Sequence, residues 1–194
     1  MMEGREMKIT YLKLILCIFL FSSCGMYTDV YYKVKNVGQD FNLRQRYDES
    51  IITSLNQDIW MIVYQDKNDR SHTFIKVGME FSRSEEEKKS TVELLNKVKI
   101  THNRNVIDIP VVEKEVFEND GVKRTYFTLQ IPDEITGNLT LDMGKIKIGN
   151  VIFKTPLIYL QKYKITESNT LLEALLSEGG ENVQFYKKEG WIDN

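Results

Sequence analysis

Two histidines and two cysteines are the residues of this 194-residue chain that most readily support catalysis or metal binding. His72 and His102 are the natural acid–base candidates, because imidazole titrates near neutral pH. Neither belongs to a His-Glu-x-x-His pattern or a comparable set of metal ligands. His72 falls on the solvent face of a predicted strand, and His102 lies beside a predicted turn. We therefore interpret both as surface residues.

Other motifs that carry chemistry are incomplete. Asp66-x-Asn68 matches the start of a calcium loop, but Arg70 stands where an oxygen ligand belongs. The chain has no Gly-x-Ser-x-Gly elbow and no glycine loop that would hold a phosphate. Carboxylate pairs for glycoside hydrolysis stay open as an alternative, because their separation depends on the fold. The sequence thus predicts no catalytic residue, no cofactor and no metal.

Cys24 stands in a more informative setting. A basic start precedes the unbroken apolar run 14–21, and the small pair Ser22-Ser23 separates that run from Cys24. The run is much shorter than the roughly 20 residues that span a bilayer, so it is typical of a signal peptide. The sequence Phe-Ser-Ser-Cys at 21–24 resembles the lipobox of bacterial lipoproteins, in which the cysteine is lipidated and becomes the mature N-terminus.

The lipobox resemblance implies how the chain is organised. Residues 1–23 would be removed as a signal peptide, with Met7 as the natural start, and 24–29 would form the lipidated N-terminus and a short tether. We expect one β-rich globular domain over 30–194. The resemblance also implies a lipid-anchored place in the bacterial cell envelope, at the outer membrane or cell surface. With Cys17 in the removed segment, the exported domain keeps no thiol for a disulfide or a nucleophile.

Charge narrows the choice of partners. The net charge is −2, and charges of both signs are interspersed. A nucleic-acid-binding protein normally carries a basic excess on one face, so we exclude nucleic acid as a partner. The expected partners are a membrane, reached through the lipid on Cys24, and an envelope or extracellular protein.

Alternation of apolar and polar residues runs through the chain from residue 50 onward and is typical of half-buried strands. It is clearest in 73–81, 125–131 and 139–143, whereas 58–65 is apolar on both faces and predicts a central strand. The links are too short for parallel crossovers. We therefore predict a mainly β fold of about eight to ten antiparallel strands, either an immunoglobulin-like β-sandwich or a partly open barrel.

Turn residues support this interpretation. Asp120-Gly121 and Gly149-Asn150 predict tight hairpins, because these residues accept the positive φ angles of two-residue turns. Asn103-Arg104-Asn105 and 67–70 predict two further turns.

Two segments are typical of a helix. Ser84–Glu87 fits a capping box, so 85–98 could be a helix. Val92, Leu94, Val98 and Ile100 alternate as in a strand instead, which we favour from Thr91 onward. Near the C-terminus, a capping box, four leucines and a Gly-Gly stop predict a short helix over 171–178. A helix this short is unstable alone, so it must dock on its own domain or on a partner.

From these observations we expect a non-catalytic binding or structural protein. The alternatives are an envelope glycan hydrolase with paired carboxylates and a carrier of a hydrophobic ligand. A cleft with converging carboxylates would favour the hydrolase, and a large dry cavity the carrier. A filled core with an exposed apolar patch would favour the binding protein. Tyr159 and Tyr163 share one strand face and offer a weak binding signal.

Overall fold

A computed structural model describes residues 25–46, 48–55, 59–67, 71–81, 90–169 and 186–192. Fifteen strands cover most of these residues. The strands are β1 (Gly25–Val37), β2 (Phe41–Arg46), β3 (Glu49–Ser54), β4 (Ile59–Asp66), β5 (Thr73–Phe81), β6 (Val92–Leu94), β7 (Val98–His102), β8 (Asn105–Ile109), β9 (Val111–Asn119), β10 (Val122–Ile131), β11 (Leu139–Asp142), β12 (Lys145–Ile148), β13 (Val151–Lys154), β14 (Leu157–Asn169) and β15 (Tyr186–Trp191).

The chain divides into two units by its internal contacts. One consists of 1–30 with 164–190, and the other of 31–163 with 191–194. In the first unit, the hydroxyl oxygens of Thr28 and Thr166 lie 3.4 Å apart. The second unit carries the sites described below.

Three sheets organise the strands. One has the order β1-β14-β11-β7-β8, with β15 also paired to β14; the second has the order β2-β3-β4-β5-β10-β9; the third joins β13-β12-β6. The pairings of β5 with β4 and β10, and of β7 with β8 and β11, are antiparallel. A mainly β fold with antiparallel sheets, consistent with a β-sandwich, confirms the coarse prediction from the sequence.

The core forms from the alternating residues of the two large sheets. In β5 and β10, Val77 lies directly opposite Phe127 and Ile75 opposite Leu129, and all four side chains are buried. They belong to one contiguous apolar cluster with residues of the other sheet, such as Leu141. Burying a side chain of this size contributes roughly 1.5–3 kcal/mol. The predicted inward faces of 73–81, 125–131 and 139–143 are therefore confirmed.

Three of the four predicted turns are also present, whereas most of the fourth, 67–70, lies outside the described residues. Asp120 and Gly121 have φ angles of 50° and 76° between β9 and β10, and Gly149 has 56° between β12 and β13. Asn103 and Arg104 have φ angles of 49° and 67° between β7 and β8. The central position predicted for 58–65 is correct, since β4 lies between β3 and β5.

The region after residue 90 differs from the single strand that was predicted there. The strand preferred from Thr91 onward is present but breaks at 95–97, so β6 joins the small sheet and β7 a large one. The described residues form fifteen strands in place of the expected eight to ten. The capping box at 84–87, the helix at 171–178 and Cys24 lie outside the described residues.

Candidate functional site

A groove of about 530 Å³ lies on the outer face of the β4-β5-β10-β9 surface. Along β5 and β10, its side chains alternate with buried core residues, which is why they face outward. We call it the charged groove. Its lining residues are Tyr64, Lys76, Glu80, Glu115, Phe117, Asn119, Asp120, Val122, Arg124 and Tyr126.

Gly78 makes room for an aromatic ring in this groove. It pairs directly with Tyr126 on the next strand. A Cβ atom at Gly78 would lie 2.6 Å from Cε1 of Tyr126, so the tyrosine ring packs against the glycine backbone. On its other side, Tyr126 contacts Phe117 edge to face, with ring centroids 5.5 Å apart. Gly78 thus positions the central ring of the groove.

Arg124 joins the aromatic and charged parts of the groove. Its Nε and Nη2 donate to the same Glu80 oxygen at 2.9 and 2.6 Å, and its Nη1 donates to the Tyr126 hydroxyl at 3.1 Å. Its guanidinium carbon lies 4.7 Å from the ring centre of Trp60. Burial lowers the pKa of Arg124, but the bonds to Tyr126 and Glu80 outweigh that effect and raise it. The guanidinium is therefore held as a cation in one orientation.

Lys76 forms the second charged centre. Its Nζ lies 3.4 Å from Asp66 Oδ2 and 3.6 Å from Glu115 Oε2. Burial lowers the pKa of Lys76, yet the hydrogen bond to Asp66 and the nearby negative charges raise it overall. For the adjacent Tyr64, burial raises the pKa, and the positive charge of Lys76 only partly opposes this. These contacts preform the polar surface of the groove.

The rim of the groove is acidic and apolar. Glu115 exposes 36% of its side chain and Asp120 is exposed, against 19% for Lys76 and 32% for Arg124. Phe117 is more than half exposed. A ligand arriving from solvent therefore meets carboxylates and an aromatic ring before it meets the two cations.

Edge strand β9 forms one side of the charged groove. Among the described strands it is the last of its sheet, and every residue except Glu115 is exposed. Its pairing with β10 shifts register at Thr128/Leu129, which marks a β-bulge. Four apolar residues of this strand are exposed: Val111, Val112, Val116 and Phe117. An exposed apolar edge of this kind is suited to contact another chain.

A second groove, of about 600 Å³, lies on the β1-β14-β11-β7 sheet. We call it the amide groove, because side-chain amides dominate its polar groups. Its lining residues are Lys35, Asn36, Thr101, Asn103, Asn138, Leu139, Thr140, Tyr159, Leu160 and Gln161.

The two histidines have different settings. His72 is exposed, as predicted, with its Nδ1 3.2 Å from Asp133 Oδ2. His102 is partly buried at the end of β7 and contacts Asn138 and Asn103 of the amide groove. Across the described residues, no group of three His, Cys, Asp or Glu side chains is arranged to hold a metal ion.

Comparison with known proteins adds no relationship. No family model, no curated protein and no solved structure matches this chain. In the described part of the chain, no helix has the length and apolar character needed to cross a membrane. Functional inference therefore depends on the residues and the two grooves.

Proposed function

We propose that this protein is a bacterial envelope lipoprotein, anchored through lipid on Cys24, whose β-domain binds an extended segment of a protein partner without catalysis. The lipobox-like sequence at 21–24 supports the anchor. The observation that carries the binding role is edge strand β9, which is exposed along its length beside the preformed charged groove.

An unpaired strand edge can add a strand from another polypeptide, whose main chain supplies the hydrogen bonds. On β9, Val112, Val116 and Phe117 would contact apolar residues of the added strand. The strand carries three glutamates and one lysine. Opposite charges in facing positions stabilise paired strands, so the favoured partner segment alternates basic and apolar residues.

The interior of the sandwich favours binding over a carrier role. A carrier needs a large dry space between its sheets. Here the inward side chains of both large sheets, including Met61, Met79 and Leu141, are buried in one apolar cluster. The hydrolase alternative gains no comparable support, because Glu80 and Glu115 of the charged groove are each held by a cation.

We further propose that the helix predicted at 171–178 docks on this domain through its leucines. A short helix with an exposed leucine stripe would be unstable in water, whereas burial of each leucine contributes roughly 1.5–3 kcal/mol. For the finer arrangement of the strands, we keep both predicted forms as proposals, the immunoglobulin-like sandwich and the partly open barrel.

The partner model can be tested with a fluorescent peptide of alternating lysine and valine and the full-length protein in detergent. We expect a rise in fluorescence anisotropy on binding, weakened by Val116→Ser and by Glu113→Lys. Val151→Ser is the matched control, because Val151 is exposed to nearly the same extent as Val116 but lies on β13. An alternating glutamate–valine peptide should bind much more weakly.

Two results would contradict the model. One is equal binding of the basic and acidic peptides, and the other is binding that neither β9 variant weakens. Self-association should also be measured, by sedimentation without peptide. If the protein associates with itself and Val116→Ser abolishes that association, the partner at β9 is a second copy of this chain and not a foreign protein.

A further inference from the structure

The amide groove is lined mainly by neutral polar side chains, although charged residues are frequent in the rest of the chain. Among the described residues that line it, four carry amides and two are threonines, and Lys35 is the one charged residue. None of the described lining residues carries a carboxylate. The neutral hydrogen-bonding groups are Asn36, Asn103, Asn138, Gln161, Thr101 and Thr140.

A straight row of side chains crosses the floor of this groove. Tyr159 of β14 pairs with Thr140 of β11, and Thr140 pairs with Thr101 of β7. Paired residues in an antiparallel sheet point to the same face, so the row places an aromatic ring beside two hydroxyls. Tyr159 exposes 41% of its surface. Its ring is therefore available as an apolar platform next to hydrogen-bonding groups.

His102 contacts the backbone of one amide residue and orients the side chain of another. Its Nδ1 lies 2.9 Å from the carbonyl oxygen of Asn138, which can only accept, so Nδ1 carries the proton. Nε2 then accepts from the side-chain nitrogen of Asn103 at 2.9 Å. This tautomer assignment follows from the hydrogen-bond partners. It directs the amide nitrogen of Asn103 toward His102 and fixes the side-chain orientation.

Gln161 is oriented in a similar way at the other side of the groove. Its side chain is almost fully buried, and its amide nitrogen donates to the carbonyl oxygen of Ile192 at 2.8 Å. The side-chain amides of Asn103 and Gln161 are thus held in place before any ligand arrives. Preformed polar groups of this kind fix the orientation of a ligand and give specificity.

We propose that the amide groove binds a neutral oligosaccharide. Sugar hydroxyls both donate and accept hydrogen bonds, which matches amide and threonine side chains that do the same. The apolar face of a sugar ring can pack on the exposed tyrosine ring, whose polar edge stays hydrated. A strongly charged ligand would instead require a cluster of opposite charges, such as the fork of an arginine. This proposal is independent of β9, which belongs to the other large sheet.

The test uses the full-length protein in detergent and calorimetric titration with cellohexaose, maltohexaose, xylohexaose, mannohexaose and chitohexaose. We expect at least one of these sugars to bind. Tyr159→Ala, which removes the platform, and Thr140→Val, which removes a hydroxyl but keeps the shape, should each weaken that binding at least tenfold. Leu157→Ala is the matched control, because Leu157 is equally exposed on the same face of β14 but lies outside the groove.

Equal melting temperatures of the variants and the parent protein will show that a loss of binding is not a loss of folding. Failure of all five sugars to bind would overturn the proposal. It would also be overturned if Tyr159→Ala and Thr140→Val left binding unchanged, or if only the acidic sugar hexagalacturonate bound. Because Phe117→Ala affects only the charged groove, it should leave sugar binding at the parent level.

Discussion

The position of the Tyr126 ring depends on the absence of a side chain at Gly78. The ring of Tyr126 occupies the space that a Cβ atom at position 78 would need, 2.6 Å from Cε1. The same tyrosine accepts a hydrogen bond from Arg124 and contacts Phe117. A shift of the ring would therefore disturb both the aromatic and the charged parts of the groove.

We predict that Gly78→Ala destabilises the protein by about 1–3 kcal/mol, the usual cost of overpacking a fitted site. The measurement is denaturant unfolding of the parent and the variant. The same substitution in a Tyr126→Ala background is the control, because the added methyl group then meets no ring. If Gly78→Ala costs as much in that background, the ring contact is not the reason for the glycine.

Tyr64 gives the charged groove a defined response to alkaline pH. Burial raises its pKa above the ordinary value of 10.0. A raised folded-state pKa means that the stabilisation is fully present below the unfolded pKa and is lost as the pH rises through the folded pKa. The raised pKa of Lys76 acts in the same direction. Stability should therefore fall above about pH 10.

We predict that Tyr64→Phe makes this alkaline fall shallower, since phenylalanine has no proton to lose. The free energy of unfolding should be measured for the parent and the variant at a series of pH values from neutral to strongly alkaline. The baseline is the difference in unfolding free energy between parent and variant at neutral pH, where tyrosine is protonated in both the folded and the unfolded state. An alkaline slope that is the same in both proteins would contradict the assigned role of Tyr64.

The β9–β10 hairpin shows why some elements can be predicted from a short stretch of sequence. Asp120-Gly121 occupies the turn with positive φ angles at both residues, and apolar residues alternate in the strand that follows. Turn chemistry and alternation are local signals, so they are visible without knowledge of the fold. The same reason explains the correct predictions for Gly149-Asn150 and for 73–81.

We predict that Gly121→Ala destabilises the hairpin by about 1–2 kcal/mol, because an L-residue with a side chain is strained at positive φ. Gly121 has a φ of 76° and no atom within 4 Å of an added Cβ, so the expected effect comes from the backbone alone. Gly38→Ala is the matched control, since that position is equally open and has no positive φ. Equal effects on thermal unfolding at both positions would rule out the backbone explanation.

The two grooves could not be predicted in the same way. Arg124 and Glu80 are 44 positions apart and meet only because β5 and β10 pair in a particular register. The row Tyr159–Thr140–Thr101 likewise depends on β11 lying between β14 and β7. Strand order and register are set by the packing of the whole core, which alternation alone does not specify. The sequence identified Tyr159 as a weak binding signal but none of its partners.

At the scale of the whole molecule, the β-domain presents two chemically different surfaces. The charged groove and β9 carry acidic and apolar groups on one large sheet, whereas the amide groove carries neutral polar groups on another. Different surfaces can engage a protein and a saccharide separately, so the two proposals can fail independently. A lipid anchor would add a third attachment and hold both surfaces at a membrane.

The proposed lipid anchor depends on Cys24. We expect Cys24 to be acylated, because 21–24 resembles a lipobox, and we expect Cys24→Ala to move the protein from the membrane fraction to the soluble fraction. Each buried methylene contributes about 0.8 kcal/mol, so a single chain binds reversibly and several chains hold the protein at the membrane. Cells should be grown with radiolabelled palmitate and then fractionated. Cys17→Ala is the matched control, since Cys17 lies within the segment expected to be removed. Label that persists in Cys24→Ala, or that is lost in Cys17→Ala alone, would show that Cys24 is not the lipid site.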